Sequence, residues 1–159
     1  MSDRSEPRLV ATDPVPVDSS LFLKLVRAAN LTARLFHEGA GKRYRLSLNE
    51  WRVMVVLASR PGVAATDVAD ATGLDKMTVS RALAALVGSD RLIREGDPLD
   101  LRRSRLFLSP AAKRLCGRIG ARASQRETGL FGGLSALELK RANATLDKLI
   151  EALRQAEPG

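Results

Sequence analysis

The most informative hydrophobic pattern in the chain lies between residues 65 and 87, ATDVADATGLDKMTVSRALAALV. Val79, Ala82, Leu83 and Leu86 recur at i, i+3, i+4 and i+7, which puts them on one face of a helix. The opposite face carries Lys76, Met77, Ser80, Arg81 and Ala84, with Thr78 at its edge. Val68 and Ala69 form the inward side of a shorter helix just before. Gly73 stands between the two, where a reversal needs a residue tolerant of positive φ. Asp75 is placed to accept the free N–H groups of the second helix. Small residue, glycine and branched residue in that order predict a helix-turn-helix, whose second helix offers its polar face to a DNA major groove. An ordinary helical hairpin with a solvated polar face is the alternative for this stretch alone.

The same periodicities divide the rest of the chain. Residues 1–18, with Pro7, Pro14 and Pro16 among mixed charges, predict a mobile tail. A helix follows from about Ser19 to Gly39. Leu21, Phe22, Leu25, Val26, Ala29, Ala33, Leu35 and Phe36 wrap more than one of its faces, so it is expected to be buried on two sides, by its own domain and by a second subunit. Gly39-Ala-Gly41 is expected to end it, and Lys42, Arg43 and Arg45 to make a basic loop. Ser47-Leu-Asn-Glu50 has the form of a capping box opening a core helix through Trp51, Val53, Met54, Val55, Val56 and Leu57, stopped by Pro61-Gly62.

Beyond the helix-turn-helix, Gly88 is expected to end the second helix. Residues 92–95 and 104–108 read as two strands, joined by turn chemistry from Gly96, Asp97, Pro98 and Asp100. A hairpin directly after such a helix is a wing, with Arg102 and Arg103 at or near its tip and Arg105 on the returning strand. A guanidinium there can enter a narrow minor groove, and Asp100 is placed to orient one arginine through a bidentate pair. Ser109-Pro110 then opens a helix to about Glu127, Gly129–Gly133 makes a break, and Ser135-Ala-Leu-Glu138 caps a last helix. Leu139, Ala142, Leu146, Leu149 and Leu153 form a seam along it, at spacings of three and four, with no partner left in so small a domain. A second copy of the chain is the simplest partner, through Leu21, Leu25, Leu139, Leu146, Leu149 and Leu153. The fold class is therefore mainly α with a small β-hairpin wing. Residues 19–45 and 110–156 serve as dimerisation helices and 46–109 as the DNA-binding domain.

Composition sharpens this picture. With 159 residues and 45% apolar content the chain is one soluble domain's worth, and 4% aromatics make the core aliphatic. The net charge of +8 favours a polyanionic partner. Between Lys76 and Arg105, seven cations (Lys76, Arg81, Arg91, Arg94, Arg102, Arg103, Arg105) face four acids (Asp90, Glu95, Asp97, Asp100). That balance suits a DNA face on which acids hold arginines in place. One cysteine excludes an internal disulfide and fits a reducing, cytoplasmic setting. No apolar run is long enough for a bilayer, so no membrane partner is expected.

Catalytic chemistry is sparse. There is one histidine, His37, and one cysteine, Cys116, with no metal-ligand cluster and no nucleophile beside a base. No catalytic residue, metal or cofactor is expected, and the chain is read as not an enzyme. Gly41-Lys42 lacks the residues a phosphate loop requires, since Phe36 and Arg43 occupy the decisive positions. Cys116 lies beside Arg114 and Arg118, cations that lower a thiol's pKa if it is exposed; the competing reading is an inert packed cysteine.

With these pieces in place, the chain resembles the MarR family of bacterial winged helix-turn-helix regulators over about residues 20–155. The long first helix, LDKMTVSRALAALV, the wing DPLDLRRSRLFLS and two trailing helices carry the resemblance. Asp97, Pro98, Asp100, Arg102, Leu108 and Ser109 match the family's wing pattern, while Leu101 replaces a residue that is often charged. The resemblance implies a homodimer on a pseudo-palindromic operator, with Lys76, Met77, Thr78, Ser80, Arg81, Asp100, Arg102, Arg103 and Arg105 at the DNA. It implies a transcriptional repressor, nucleoid-associated when bound, released by a small aromatic or anionic ligand. Phe36, His37 and Trp51 are the candidate ligand contacts. The alternatives are a winged-helix protein-interaction module and an oxidant-sensing regulator using Cys116.

Overall fold

The computed structural model describes residues 19–100 and 102–156; the expected tail 1–18 and Leu101 lie outside them. The elements run α1 (Leu21–Phe36), a π-helical turn (His37–Gly41), α2 (Lys42–Tyr44), α3 (Leu48–Ser59), α4 (Ala65–Thr72), α5 (Lys76–Gly88), β1 (Leu92–Gly96), β2 (Ser104–Leu108), α6 (Pro110–Phe131) and α7 (Ala136–Ala156). The described chain is thus mostly helical with one antiparallel hairpin, as the periodicities predict. Two compact units are distinguished, Met1–Leu48 and Asn49–Gly159.

In the first unit, Ser20 caps α1 by accepting from the Leu23 N–H at 3.3 Å. No residue of α1 is buried: Leu21, Phe22, Val26, Leu31 and Leu35 are all exposed. The expected burial on two sides is therefore absent from the isolated chain. The glycines do not end this helix either. The backbone widens into the π turn at His37–Gly41 and continues to Tyr44, so Lys42 and Arg43 are helical, not a loop. Gly41 is buried, with the carbonyls of Leu46 and Phe36 3.2 and 3.3 Å from where a Cβ would stand. Arg45, at φ 48°, supplies the reversal. Local pattern marks the glycines as breakers, but their small size also permits close backbone approach, and that use prevails here.

The second unit holds the main core: Val53, Met54, Leu57, Val68, Val79, Ala82, Leu83, Leu86, Leu92, Leu106, Leu108, Ala112, Leu115 and Ile119. All four residues of the α5 repeat are among them, whereas Val55 in α3 is exposed, so that helix is less buried than its composition suggests. β1 and β2 pair from Leu92 opposite Leu108 to Gly96 opposite Ser104. A third segment extends the hairpin on the far side of β2: the Gly62 N–H donates to the Leu106 carbonyl at 2.8 Å and the Leu106 N–H to Val63 at 3.1 Å. Arg91 joins α3 to the hairpin base through Glu50, N···O 3.9 Å, both side chains largely covered. It is an internal strut, which removes it from the predicted DNA-facing charges.

Gly88 lies inside α5, and Asp90, at φ 54°, makes the turn. Asp tolerates left-handed backbone better than most residues. Ser109 accepts from the Ala112 N–H at 3.2 Å with Pro110 opening α6. That helix passes through Gly129, and the break falls at residues 132–135. The box at Ser135 and Glu138 forms in both directions, at 2.7 and 3.3 Å. No residue of α7 is buried, and Leu146, Ile150 and Leu153 stand exposed along it.

Candidate nucleic-acid interface

The turn between α4 and α5 is built from short-range bonds. Gly73 takes φ 66° and its N–H donates to the Ala69 carbonyl at 2.9 Å. The Thr72 hydroxyl donates to Val68 at 2.7 Å and accepts from the Leu74 N–H at 3.3 Å. Asp75 then caps α5: one carboxylate oxygen accepts the Thr78 N–H at 2.8 Å and the other the Thr78 hydroxyl. These bonds, the hydroxyl first, hold the Asp75 carboxyl below its ordinary value. The first turn of α5 is thereby fixed while Lys76, Met77, Ser80, Arg81 and Ala84 face outward, all exposed. Thr78 is half-buried and its hydroxyl proton is directed to Asp75, leaving its methyl and lone pairs for anything outside.

Four hydrogen bonds organise the wing tip. Asp97 Oδ1 accepts the Leu99 N–H at 2.9 Å, and the Asp97 N–H donates to the Arg103 carbonyl at 3.0 Å. Asp100 Oδ1 accepts the backbone N–H of Arg102 at 3.0 Å, and its carbonyl that of Arg103 at 2.9 Å. Asp100 thus holds the turn through the backbone, in place of the expected guanidinium pair. The arginine that gains a carboxylate is Arg103, whose partner is Asp67 of α4 at 3.8 Å. Asp67 also accepts the Ala64 N–H at 2.8 Å, half of a capping box, since alanine has no side-chain acceptor to return. Wing and helix-turn-helix are therefore tied at α4. Arg102 is exposed. Arg105 lies over the Phe107 ring, 5.4 Å from its centroid.

Sequence reasoning missed Asp67 and Gly62. The signal for Asp67 is an acid three residues after the cap position of α4, obscured because Ala64 stands there where a capping serine or threonine would be. The signal for Gly62 is only that glycine follows proline, which fits any turn. Its φ of 84° and its place beneath Arg105 and Phe107 belong to tertiary structure.

Phe36 and His37 lie at the end of α1 and in the π turn, in the first unit, and Trp51 lies in α3, in the second; His37 is exposed, Phe36 and Trp51 half-buried. Glu38, beside His37, pairs with Lys42 at 2.6 Å, which lowers its pKa. Burial pushes the Cys116 thiol up, so the thiolate is disfavoured. Among the described residues no group of His, Cys, Asp or Glu is placed to hold a metal ion.

Residues 46–103, which span the helix-turn-helix and most of the wing, match the MarR family model. No curated protein matches the chain. Among solved structures, a MarR/EmrR family transcriptional regulator from Acinetobacter sp. ADP1 is 23% identical, with a TM-score of 0.82 over 89% of this chain and 99% of its own. BpsR from Bordetella bronchiseptica, whose DNA binding is regulated by 6-hydroxynicotinic acid, is 24% identical with a TM-score of 0.76, over 86% and 97%. The PcaV transcriptional regulator from Streptomyces coelicolor, solved with its natural ligand, is 22% identical with a TM-score of 0.70, over 91% and 99%. The chain thus shares the winged fold of these MarR-family structures, and its residues 46–103 are similar to the MarR family.

Proposed function

We propose that the protein is a sequence-specific DNA-binding transcriptional repressor that acts as a homodimer on a pseudo-palindromic operator. The observation that carries this reading is the pairing, in one compact unit, of a capped α5 exposing Lys76, Met77, Ser80 and Arg81 with a hydrogen-bonded wing exposing Arg102. A recognition helix supplies base readout in the major groove, and a wing arginine supplies phosphate or minor-groove contact. Thr78, Asp100, Arg103 and Arg105 complete the interface, Asp100 by shaping the tip and Arg103 by holding the wing to α4. Residues 46–109 act as the DNA-binding domain.

The exposed apolar faces of α1 and α7 support dimerisation. Leu21, Leu25, Leu139, Leu146, Leu149 and Leu153 sit in helices with no buried residue, and covering such surface on a second copy is favourable by roughly 25 cal/mol per Å². The family and the ligand-regulated or ligand-bound neighbours support release by a small aromatic or anionic molecule, with Phe36, His37 and Trp51 as candidate contacts. A ligand that lowers operator affinity tenfold favours the non-binding form by about 1.4 kcal/mol, and DNA weakens its binding equally. The reading involves no catalysis and places the protein in the cytoplasm, at the nucleoid when bound; no described helix is long and apolar enough to cross a membrane. The test is to select duplexes from a randomised pool with the full chain, then compare a selected duplex with a scrambled one. Enrichment of a two-fold related motif is the expected result. An unenriched pool, together with capture of a specific protein, would replace this reading with a winged-helix interaction module.

A further inference from the structure

Met77 is the one large apolar side chain among the outward-facing residues Lys76, Met77, Ser80, Arg81 and Ala84 of α5. It is the second residue of α5 and 63% exposed, beside Lys76 and one turn before Ser80 and Arg81. The four positions of α5 that build the core, Val79, Ala82, Leu83 and Leu86, are all buried without it, so packing within the chain does not account for it. It sits in a capped first turn, because Asp75 accepts both the N–H and the hydroxyl of Thr78, the next residue. A flexible, polarisable thioether is carried there.

We propose that Met77 is a specificity-determining residue that reads the 5-methyl group of a thymine in the major groove. Residues at the start of a recognition helix reach base edges, and the thymine methyl is the one apolar group that a base pair displays there. Lys76, Ser80 and Arg81 offer donors for the neighbouring acceptors; Met77 offers none, and a methyl asks for none. This inference rests on the proposed DNA-binding function and names the base feature that one residue of that site takes.

The experiment uses a duplex that the full-length protein selects from a randomised pool. Each thymine in the protected segment is replaced in turn by deoxyuridine, which removes the methyl and leaves every hydrogen-bonding group. Affinities are measured for the wild type and for Met77→Ala. Met77→Ala leaves the core untouched, and an unchanged thermal transition confirms that it folds. The expected result is one thymine per half-site whose methyl loss weakens the wild type about fourfold, equivalent to about 0.8 kcal/mol. In Met77→Ala the same replacement has no further effect. The inference is overturned if no replacement weakens the wild type, if the loss persists in full in Met77→Ala, or if the selected half-sites contain no thymine. Failure of the wild type to select any duplex overturns the functional reading instead, and so is distinct from failure of this assignment.

Discussion

Gly62 offers a quantitative test of how the wing is seated. It takes φ 84°, donates its N–H to Leu106 at 2.8 Å, and lies beneath two side chains of β2. In Gly62→Ala the new Cβ stands 2.8 Å from Arg105 Nη2 and 3.1 and 3.2 Å from Phe107 Cζ and Cε1. The left-handed backbone alone costs an alanine about 1–2 kcal/mol. Arg105 is long and exposed and swings away, but Phe107 must shift by a few tenths of an ångström, a crowding cost of about 1 kcal/mol. The sum, about 2–3 kcal/mol, lowers the melting temperature by about 5–10 °C for a chain of this length. Chemical denaturation measures it directly, and a double-mutant cycle divides it. In a Phe107→Ala background the crowding disappears and only the backbone part, about 1–2 kcal/mol, remains. Because the hydrogen bond joins residue 62 to β2, DNA affinity should fall along with stability. A Gly62→Ala protein within about 0.5 kcal/mol of its parent would refute both the strain and the packing described for this turn.

Other outcomes follow from the same geometry. Leu146→Asp with Leu149→Asp should convert a sedimenting dimer to monomer; a wild type that sediments as a monomer at micromolar concentration contradicts the proposed seam. Arg81→Ala should reduce the preference for a selected duplex over a scrambled one by roughly tenfold or more, whereas Arg102→Ala should weaken both with a smaller change in their ratio. Asp75 and Glu138 have carboxyls held below their ordinary values of 3.8 and 4.5, each first by a side-chain hydroxyl. Groups with depressed folded values add stability above their unfolded values and lose it as pH falls through the folded ones, so thermal stability should be flat at neutral pH and drop below about pH 4. Asp75→Ala and Glu138→Gln should each make that acid drop shallower, as read by melting at pH 3–7.

Much of this architecture was legible in the sequence because the relevant forces are local. The α5 repeat, the left-handed Gly73, the Asp75 cap and the Ser135–Glu138 box each depend on residues within one or two turns, and each takes the conformation its pattern predicts. What was not legible depends on partners far along the chain. Arg103 reads as a tip cation within reach of Asp100 until Asp67, 36 residues earlier, is brought within 3.8 Å. Arg91 reads as a DNA-facing charge until Glu50 meets it. Gly39 and Gly41 read as breakers because a π turn, with Gly41 buried against the Leu46 and Phe36 carbonyls, leaves no periodic trace. Cys116 is open to two readings in the sequence, activated if exposed or inert if packed, and its half-burial, which raises the thiol's pKa, supports the packed one.

The central claim, sequence-specific binding through α5 and the wing, is tested most directly by one titration series. Affinity for a selected duplex and for its scrambled counterpart is measured by fluorescence anisotropy over a range of salt concentrations. The account predicts that the selected duplex binds at least about 10³-fold more tightly. It also predicts that log affinity falls linearly with log salt, with a slope near −0.9 per phosphate neutralised. A protein that binds the two duplexes equally at every salt concentration, or whose affinity is indifferent to salt, contradicts it.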